Sequence, residues 1–183
     1  MSCYFIYMHF ADPTANVLQM GLREGMKVAD LGAGSGHYAL AAANIVGKSG
    51  RVYAVDVQED VLKHIRDKAV DKELSNIETV WGDIEKQGGT KLKDHTIDAA
   101  ILSNVLFQLE DRDATISEVK RILIPNGKLM IVDWAGAYGG LGPAGEAIVP
   151  EPDAEAMFIK AGFHKVKDFR GGPHHYSLLF TAP

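Results

Sequence analysis

From Lys27 to the C-terminus, short apolar runs alternate with amphipathic stretches, a rhythm that predicts parallel strands joined by helical crossovers. Lys27–Leu31, Arg51–Val57, Ile77–Trp81, Ile97–Leu102 and Lys128–Asp133 read as the first strands. Between them, helices are expected over His37–Val46, alanine-rich and stopped by Gly47, and over Glu59–Val70, with Val61, Leu62 and Ile65 on one face. Asp113–Leu123 repeats the spacing with Ile116, Val119 and Leu123. A leading helix, Thr14–Leu22, is opened by Asp12 and Pro13, and a late one, Asp153–Ala161, is closed by Gly162. Ile84–His95 carries Gly88-Gly89 and reads as an irregular connection, and Pro125-Asn126-Gly127 as a turn. Ala135–Pro152 is a Gly/Pro-rich loop. Phe163–Phe169 and Tyr176–Thr181 complete the strands as a hairpin turned at Gly171-Gly172-Pro173. The expected fold is α/β: a seven-stranded, mostly parallel sheet with helices on both faces and a C-terminal antiparallel hairpin.

Length and composition narrow this further. The 183 residues suit a single domain spanning 1–183, with residues 1–22 as an N-terminal flap and helix and 135–152 as a lid loop. The net charge of -5 argues against nucleic acid as the first partner, because an acidic surface repels phosphate backbones. The one cysteine, Cys3, excludes an intramolecular disulfide and a cysteine-based zinc site, and no metal is expected. It fits a reducing, cytoplasmic setting. The N-terminus does not read as a secretory signal, and no apolar run reaches membrane-span length.

The strongest chemical signal is Val28-Ala29-Asp30-Leu31-Gly32-Ala33-Gly34-Ser35-Gly36, where a strand ends, the backbone turns sharply and a helix begins. Glycines permit such a turn and let a ligand approach closely, and in open α/β sheets ligands sit at the carboxyl ends of strands. The same glycines would also serve a plain strand-to-helix connection. A dinucleotide fingerprint wants a small residue at 37, where His37 stands, and no Gly-Lys-Ser/Thr ending follows. The spacing therefore disfavours NAD and ATP. Asp56 ends the second strand, where a carboxylate accepts from ribose hydroxyls. Asp83 follows the third strand, placed to accept from an adenine amine, with Ile84 and Val57 flanking the ring.

Together these residues resemble the motifs of class I S-adenosylmethionine-dependent methyltransferases, Rossmann-like in fold, within the broad group of ubiquinone/menaquinone-biosynthesis methyltransferases. The resemblance runs from about Val28 to Asp133. It implies S-adenosyl-L-methionine as cofactor, with Asp30, Gly32, Gly34 and Gly36 at the methionine moiety, Asp56 at the ribose, and Asp83 and Ile84 at the adenine. It further implies that Ser103 and Asn104, in Asp98–Leu106, lie beside the transferable methyl. Lys128 departs from the second glycine of the family's turn before the fifth strand.

Methyl transfer from a sulfonium needs alignment and dryness more than a covalent nucleophile, and orientation of this kind is worth about 7–11 kcal/mol. A base helps when the acceptor arrives protonated. Topology gathers Asn104, Asp133, Trp134, His174 and His175 toward one mouth, and His37 also faces it. His174 and His175 are the candidate bases with Asn104 as a further catalytic candidate, although both histidines also suit a turn with solvated rings, or one of them a place packed against Tyr138. Tyr7 and His9 are candidate substrate contacts with Asp133 and Trp134, and the N-terminal aromatics equally suit a packed tail. The Asn/Asp-Pro-Pro-Tyr signature of amino-group methylation on bases or glutamine is replaced by Ser103-Asn104-Val105-Leu106. The expected acceptor is a small molecule. RNA or protein methylation and a non-catalytic cofactor-binding domain stay open as alternatives, and the oligomeric state is undetermined.

Overall fold

Successive residues of a strand face opposite sides of a sheet, and β1 (Lys27–Leu31) uses both. Val28 packs into one apolar cluster, and Ala29 and Leu31 into another. The computed structural model describes residues 11–140 and 142–183, so Cys3, Tyr7 and His9 lie outside the described residues. The remaining strands are β2 (Arg51–Asp56), β3 (Ile77–Trp81), β4 (Ile97–Ser103), β5 (Leu123–Trp134), β6 (His164–Gly172) and β7 (His175–Thr181). Their order is β3-β2-β1-β4-β5-β7-β6. β1 to β5 are parallel, and β7 runs antiparallel between β5 and β6. This is the Rossmann-like α/β sheet with a terminal hairpin that the sequence predicts.

Helices cover both faces. α1 (Pro13–Gln19), α2 (His37–Val46) and α3 (Glu59–Asp71) place Val17, Ala42, Val46 and Ile65 in the cluster with Val28. α4 (Arg112–Ile122) and α5 (Glu151–Lys160) place Ile116, Val119 and Phe158 in the other. There Phe158 meets Phe163 and Phe180 at ring-centroid distances of 5.7 and 5.6 Å.

Several boundaries differ from the sequence pattern, each for a local reason. α1 ends at Gln19 rather than Leu22, because Gly21 adopts φ 61, outside the right-handed helical region. Asp111 caps α4 one residue before Arg112, accepting from the Ala114 N–H at 2.9 Å. α5 starts at Glu151, because Pro152 is tolerated in a first turn. Pro125-Asn126-Gly127 is a bulge inside β5: Leu123 pairs with Ile97, Lys128 pairs with Ala99, and backbone bonds to Ala182 hold the excursion. The final turn is Pro173-His174, since Gly172 already pairs with His175. Gly171 stays within β6, where a Cβ would lie 2.1 Å from Ser177 Oγ.

Candidate active site

The sheet order reverses direction at β1 and β4, which is where open α/β sheets leave a crevice beyond their strand ends. The turn after β1 enters that crevice. Gly32 has φ 70, and a Cβ there would press to 2.7 Å on Val105. Gly36 has φ 77, and its Cβ would meet Ile65 at 2.6 Å. Packing and dihedral therefore both demand glycine at these two positions. Gly34, at φ 48, meets nothing closer than 3.9 Å, so its bare face opens on the crevice. Gly32 and Ala33 donate to the Val55 carbonyl, and Gly34 donates to Asp56 Oδ2 at 3.0 Å, which staples the turn to the end of β2.

Two cavities flank this turn and share Gly32, Gly34 and Gln108 in their walls. The first, about 290 Å³, is bounded by Asp30, Ser103 and Asn104 on one side and by Tyr38, Trp134 and His175 on another. Ala11, just before α1, and Pro13, its first residue, close its rim with His37. The second, about 250 Å³, is bounded by Asp56, Val57, Asp83 and Ile84, with Val105 and Leu109 behind. Among the described residues, no lysine or arginine lines either cavity.

Asp30 is 1% exposed, and its Oδ2 has no hydrogen-bond partner among the described residues. Burial first, with the charge of Asp56 adding to it, pushes its carboxyl up to about 7, against a bond from the Ala39 N–H. A cation brought to Oδ2 would relieve this. Asp56 is also buried, with Oδ1 accepting from the Gln58 N–H at 3.0 Å. A carboxylate has about four acceptor sites, so each oxygen keeps one for a ligand hydroxyl. Asp83 accepts from the Glu85 N–H and pairs with Lys86 at 2.8 Å, and the Lys86 bond holds its carboxyl below the usual range.

Asn104 has φ 56, a left-handed conformation that asparagine tolerates and that recurs at functional sites. Its N–H donates to the Val132 carbonyl at 2.8 Å, and its carbonyl accepts from Gln108 Nε2 at 2.7 Å. Its buried Oδ1 has no partner among the described residues.

His175 and Trp134 are directly paired across β7 and β5, with ring centroids 4.5 Å apart. His175 is 3% exposed, and neither ring nitrogen has a partner among the described residues. Burial, and then the neighbouring His174, depress its pKa, so the ring is neutral near pH 7. His174 turns the other way, onto Tyr138 at 4.1 Å, and lines neither cavity. Asp133 lines neither as well. It accepts from the N–H groups of Leu106 (2.9 Å) and Trp134 (2.8 Å) and so braces the backbone behind Asn104. Gly36 is packed under Ile65 and also lies outside both walls.

Tyr38, Gln108, Ala11 and Pro13 are wall residues that the sequence reading did not single out. Gln108 depends on a one-turn helix, Leu106–Gln108, that has no sequence signature. Tyr38 directly follows His37, and the polar Asn16 bound to it interrupts an otherwise apolar helix face. Within 135–152, a one-turn helix forms at Gly145–Ala147, and Gly142 lies flat against Trp134, where a Cβ would meet the indole at 2.7 Å.

The architecture is that of a class I S-adenosylmethionine-dependent methyltransferase domain. A family model described as a methyltransferase domain matches residues 22–161, and the chain belongs to that family. It is similar to the ubiquinone/menaquinone biosynthesis C-methyltransferase UbiE of Shewanella piezotolerans, 34% identical over 63% of this chain and 45% of that protein. The corresponding protein of Paraburkholderia phymatum is 28% identical over 73% of this chain and 54% of its own length. The chain thus spans about half the length of these curated relatives. A crystal structure of a SAM dependent methyltransferase from Aquifex aeolicus superimposes with TM-score 0.86, at 28% identity, over 94% of this chain and 90% of the other. The [4+2]-cyclase SpnF shares the fold, with TM-score 0.77 at 19% identity over 93% and 79% of the two chains. Among the described residues no helix is long and apolar enough to cross a membrane, and no cluster of potential metal ligands occurs.

Proposed function

We propose that this protein transfers a methyl group from S-adenosylmethionine to a small, ring-bearing acceptor, by in-line displacement. The observation that carries the reading is the partner-free Asp30 Oδ2 in a crevice whose other half ends in Asp56. A zwitterionic, cationic amino acid joined to a ribose fits that pair, whereas a pyrophosphate would meet carboxylates and, among the described residues, no lysine or arginine.

Asp30, Gly34, Ser103 and Asn104 would hold the methionine half, and Asp56, Val57, Asp83 and Ile84 the adenosine half. When bound, the cofactor supplies an electrophilic methyl on a sulfonium. The chain then has three tasks. The glycine turn and Asn104 fix the line of approach. Trp134, Tyr38 and the rim of α1 exclude water. His175, neutral and buried against the indole, takes a proton from the acceptor through a free ring nitrogen. An aromatic wall of Trp134, Tyr38 and His175 favours a planar acceptor, and the names of the UbiE relatives direct attention to carbon methylation of a quinone-like ring. RNA is disfavoured because, among the described residues, neither wall holds a lysine or arginine.

Isothermal titration tests the cofactor first: S-adenosylhomocysteine is expected to bind and NAD is not, and the reverse result rejects the reading. With hydroxylated quinone precursors as acceptors, His175→Gln is expected to lower turnover by about 10²–10⁴-fold, while homocysteine-product affinity holds. Full turnover in that variant removes His175 as the base.

A further inference from the structure

Asn16 lies on α1, is buried, and lines neither cavity. Its Nδ2 makes two bonds, to the Gly171 carbonyl at 2.8 Å and to the Tyr38 hydroxyl at 2.9 Å. The carbonyl can only accept, so the amide must present its NH₂ here, and the second proton of that group is then directed at the phenolic oxygen. The orientation of this asparagine is therefore set by chemistry, and so is the polarity of the Tyr38 contact. The hydroxyl receives a hydrogen bond from Asn16 and must point its own hydrogen elsewhere.

Tyr38 is buried, and its hydroxyl sits beside Asp30 and Ser103 in the first cavity. Burial raises its pKa, so the phenol keeps its proton near neutral pH. That cavity has an acceptor for an ammonium group, Asp30 Oδ2, but no lysine or arginine for a carboxylate. A neutral O–H donor that already accepts from Asn16 suits this gap.

We propose that Asn16 is a positioning residue that fixes Tyr38 as a hydrogen-bond donor to the carboxylate of the cofactor's amino acid, opposite the ammonium held by Asp30. The inference rests on the cofactor reading above. Its reach extends beyond one bond, because Asn16 on α1 ties that helix to α2 and to β6. α1 carries the wall residue Pro13 and α2 carries Tyr38, while Gly171 of β6 lines neither cavity but precedes Gly172, which pairs with the wall residue His175 of β7. The junction is tight: a Cβ on Gly172 would lie 2.8 Å from Ala11 Cα.

The test is calorimetric and uses two probes. S-adenosylhomocysteine carries the amino-acid carboxylate, and 5′-methylthioadenosine lacks it. Tyr38→Phe and Asn16→Asp are each expected to weaken S-adenosylhomocysteine by about 10–100-fold, the worth of a hydrogen bond to a charged group, and to leave 5′-methylthioadenosine unchanged. Asn16→Asp turns the donor into an acceptor and draws the Tyr38 proton away from the cavity. In the Tyr38→Phe background the same Asn16→Asp change is expected to add little, since its route to the ligand is gone. Equal loss for both probes, or an Asn16→Asp penalty that multiplies undiminished onto Tyr38→Phe, overturns the proposal and leaves Asn16 a packing residue. If Asn16→Asp does not fold, Tyr38→Phe alone decides: unchanged S-adenosylhomocysteine affinity refutes it. A wild-type protein that binds neither probe refutes the cofactor reading instead.

Discussion

At the scale of single residues, the site contains carboxyl groups that the fold holds against their chemistry. Burial pushes Asp30 up to about 7 and Asp133 up to about 6, from 3.8. Folded protein therefore binds more protons than unfolded protein between those values. Their contribution to stability is present below about pH 4 and is lost as pH rises through about 6 and 7. Asp30→Asn is expected to raise the thermal midpoint above pH 7, to make little difference near pH 4, and to weaken S-adenosylhomocysteine. Melting curves from pH 4 to 9 check it, and no gain at pH 8 would show that the carboxyl is not strained. Stability lost here in exchange for binding is a common cost of function. The acid was legible in the sequence, because it ends a strand before a glycine turn. Its unpartnered oxygen was not, because burial and partner-free geometry arise only when α1, α2 and β4 close around it.

Among elements, the connection from β3 to β4 shows how irregular chain is held without a helix or strand of its own. Glu118 of α4 is fully buried and accepts from the Gly88 N–H, the Thr90 N–H and the Thr90 hydroxyl, while Arg121 donates to both of its oxygens. Burial opposes its ionisation, but the bonds from Arg121, Thr90 and the backbone outweigh it and hold the carboxyl down at about 2. Its stabilising contribution is thus complete above about pH 4.5 and fades as pH falls toward 2, opposite in sign to Asp30. Glu118→Ala leaves the guanidinium and the backbone donors unpaired and is expected to cost about 3 kcal/mol in urea unfolding, near the low end for a broken buried pair because Arg121 keeps Asp94. A loss under about 1 kcal/mol would assign the network no structural weight. The irregular character of 84–95 was readable from Gly88-Gly89. Its anchor was not, because Glu118 and Arg121 look like any charged pair on a helix surface until the loop folds over them.

On the scale of the whole molecule, one ligand would bridge both cavities and so link β1, β2, β4 and the hairpin. A ligand that binds only the folded state at 100 times its Kd adds about 2.7 kcal/mol, and for a chain of this size that raises Tm by about 5–10 °C. Saturating S-adenosylhomocysteine is expected to give such a shift in differential scanning fluorimetry. 5′-Methylthioadenosine is expected to give a smaller one at equal concentration, since it fills one cavity. Identical shifts would mean that the amino-acid half makes no contact.

The alternation of apolar runs and helices determined the sheet, its parallel half and its terminal hairpin, because strand and helix periodicities are local properties of the chain. The glycine turn and the acids at 56 and 83 were legible for the same reason, being tied to strand ends. Only the tertiary structure decided which of two adjacent histidines enters the crevice. β7 inserts antiparallel beside β5 and pairs His175 with Trp134, leaving His174 in the turn. It also decided that Asp133 braces backbone and that Asn16 reaches across to Tyr38, 22 positions along the chain, and to Gly171, 155 positions along it. Such contacts join residues distant in sequence, and no local pattern encodes them before the sheet brings their elements together.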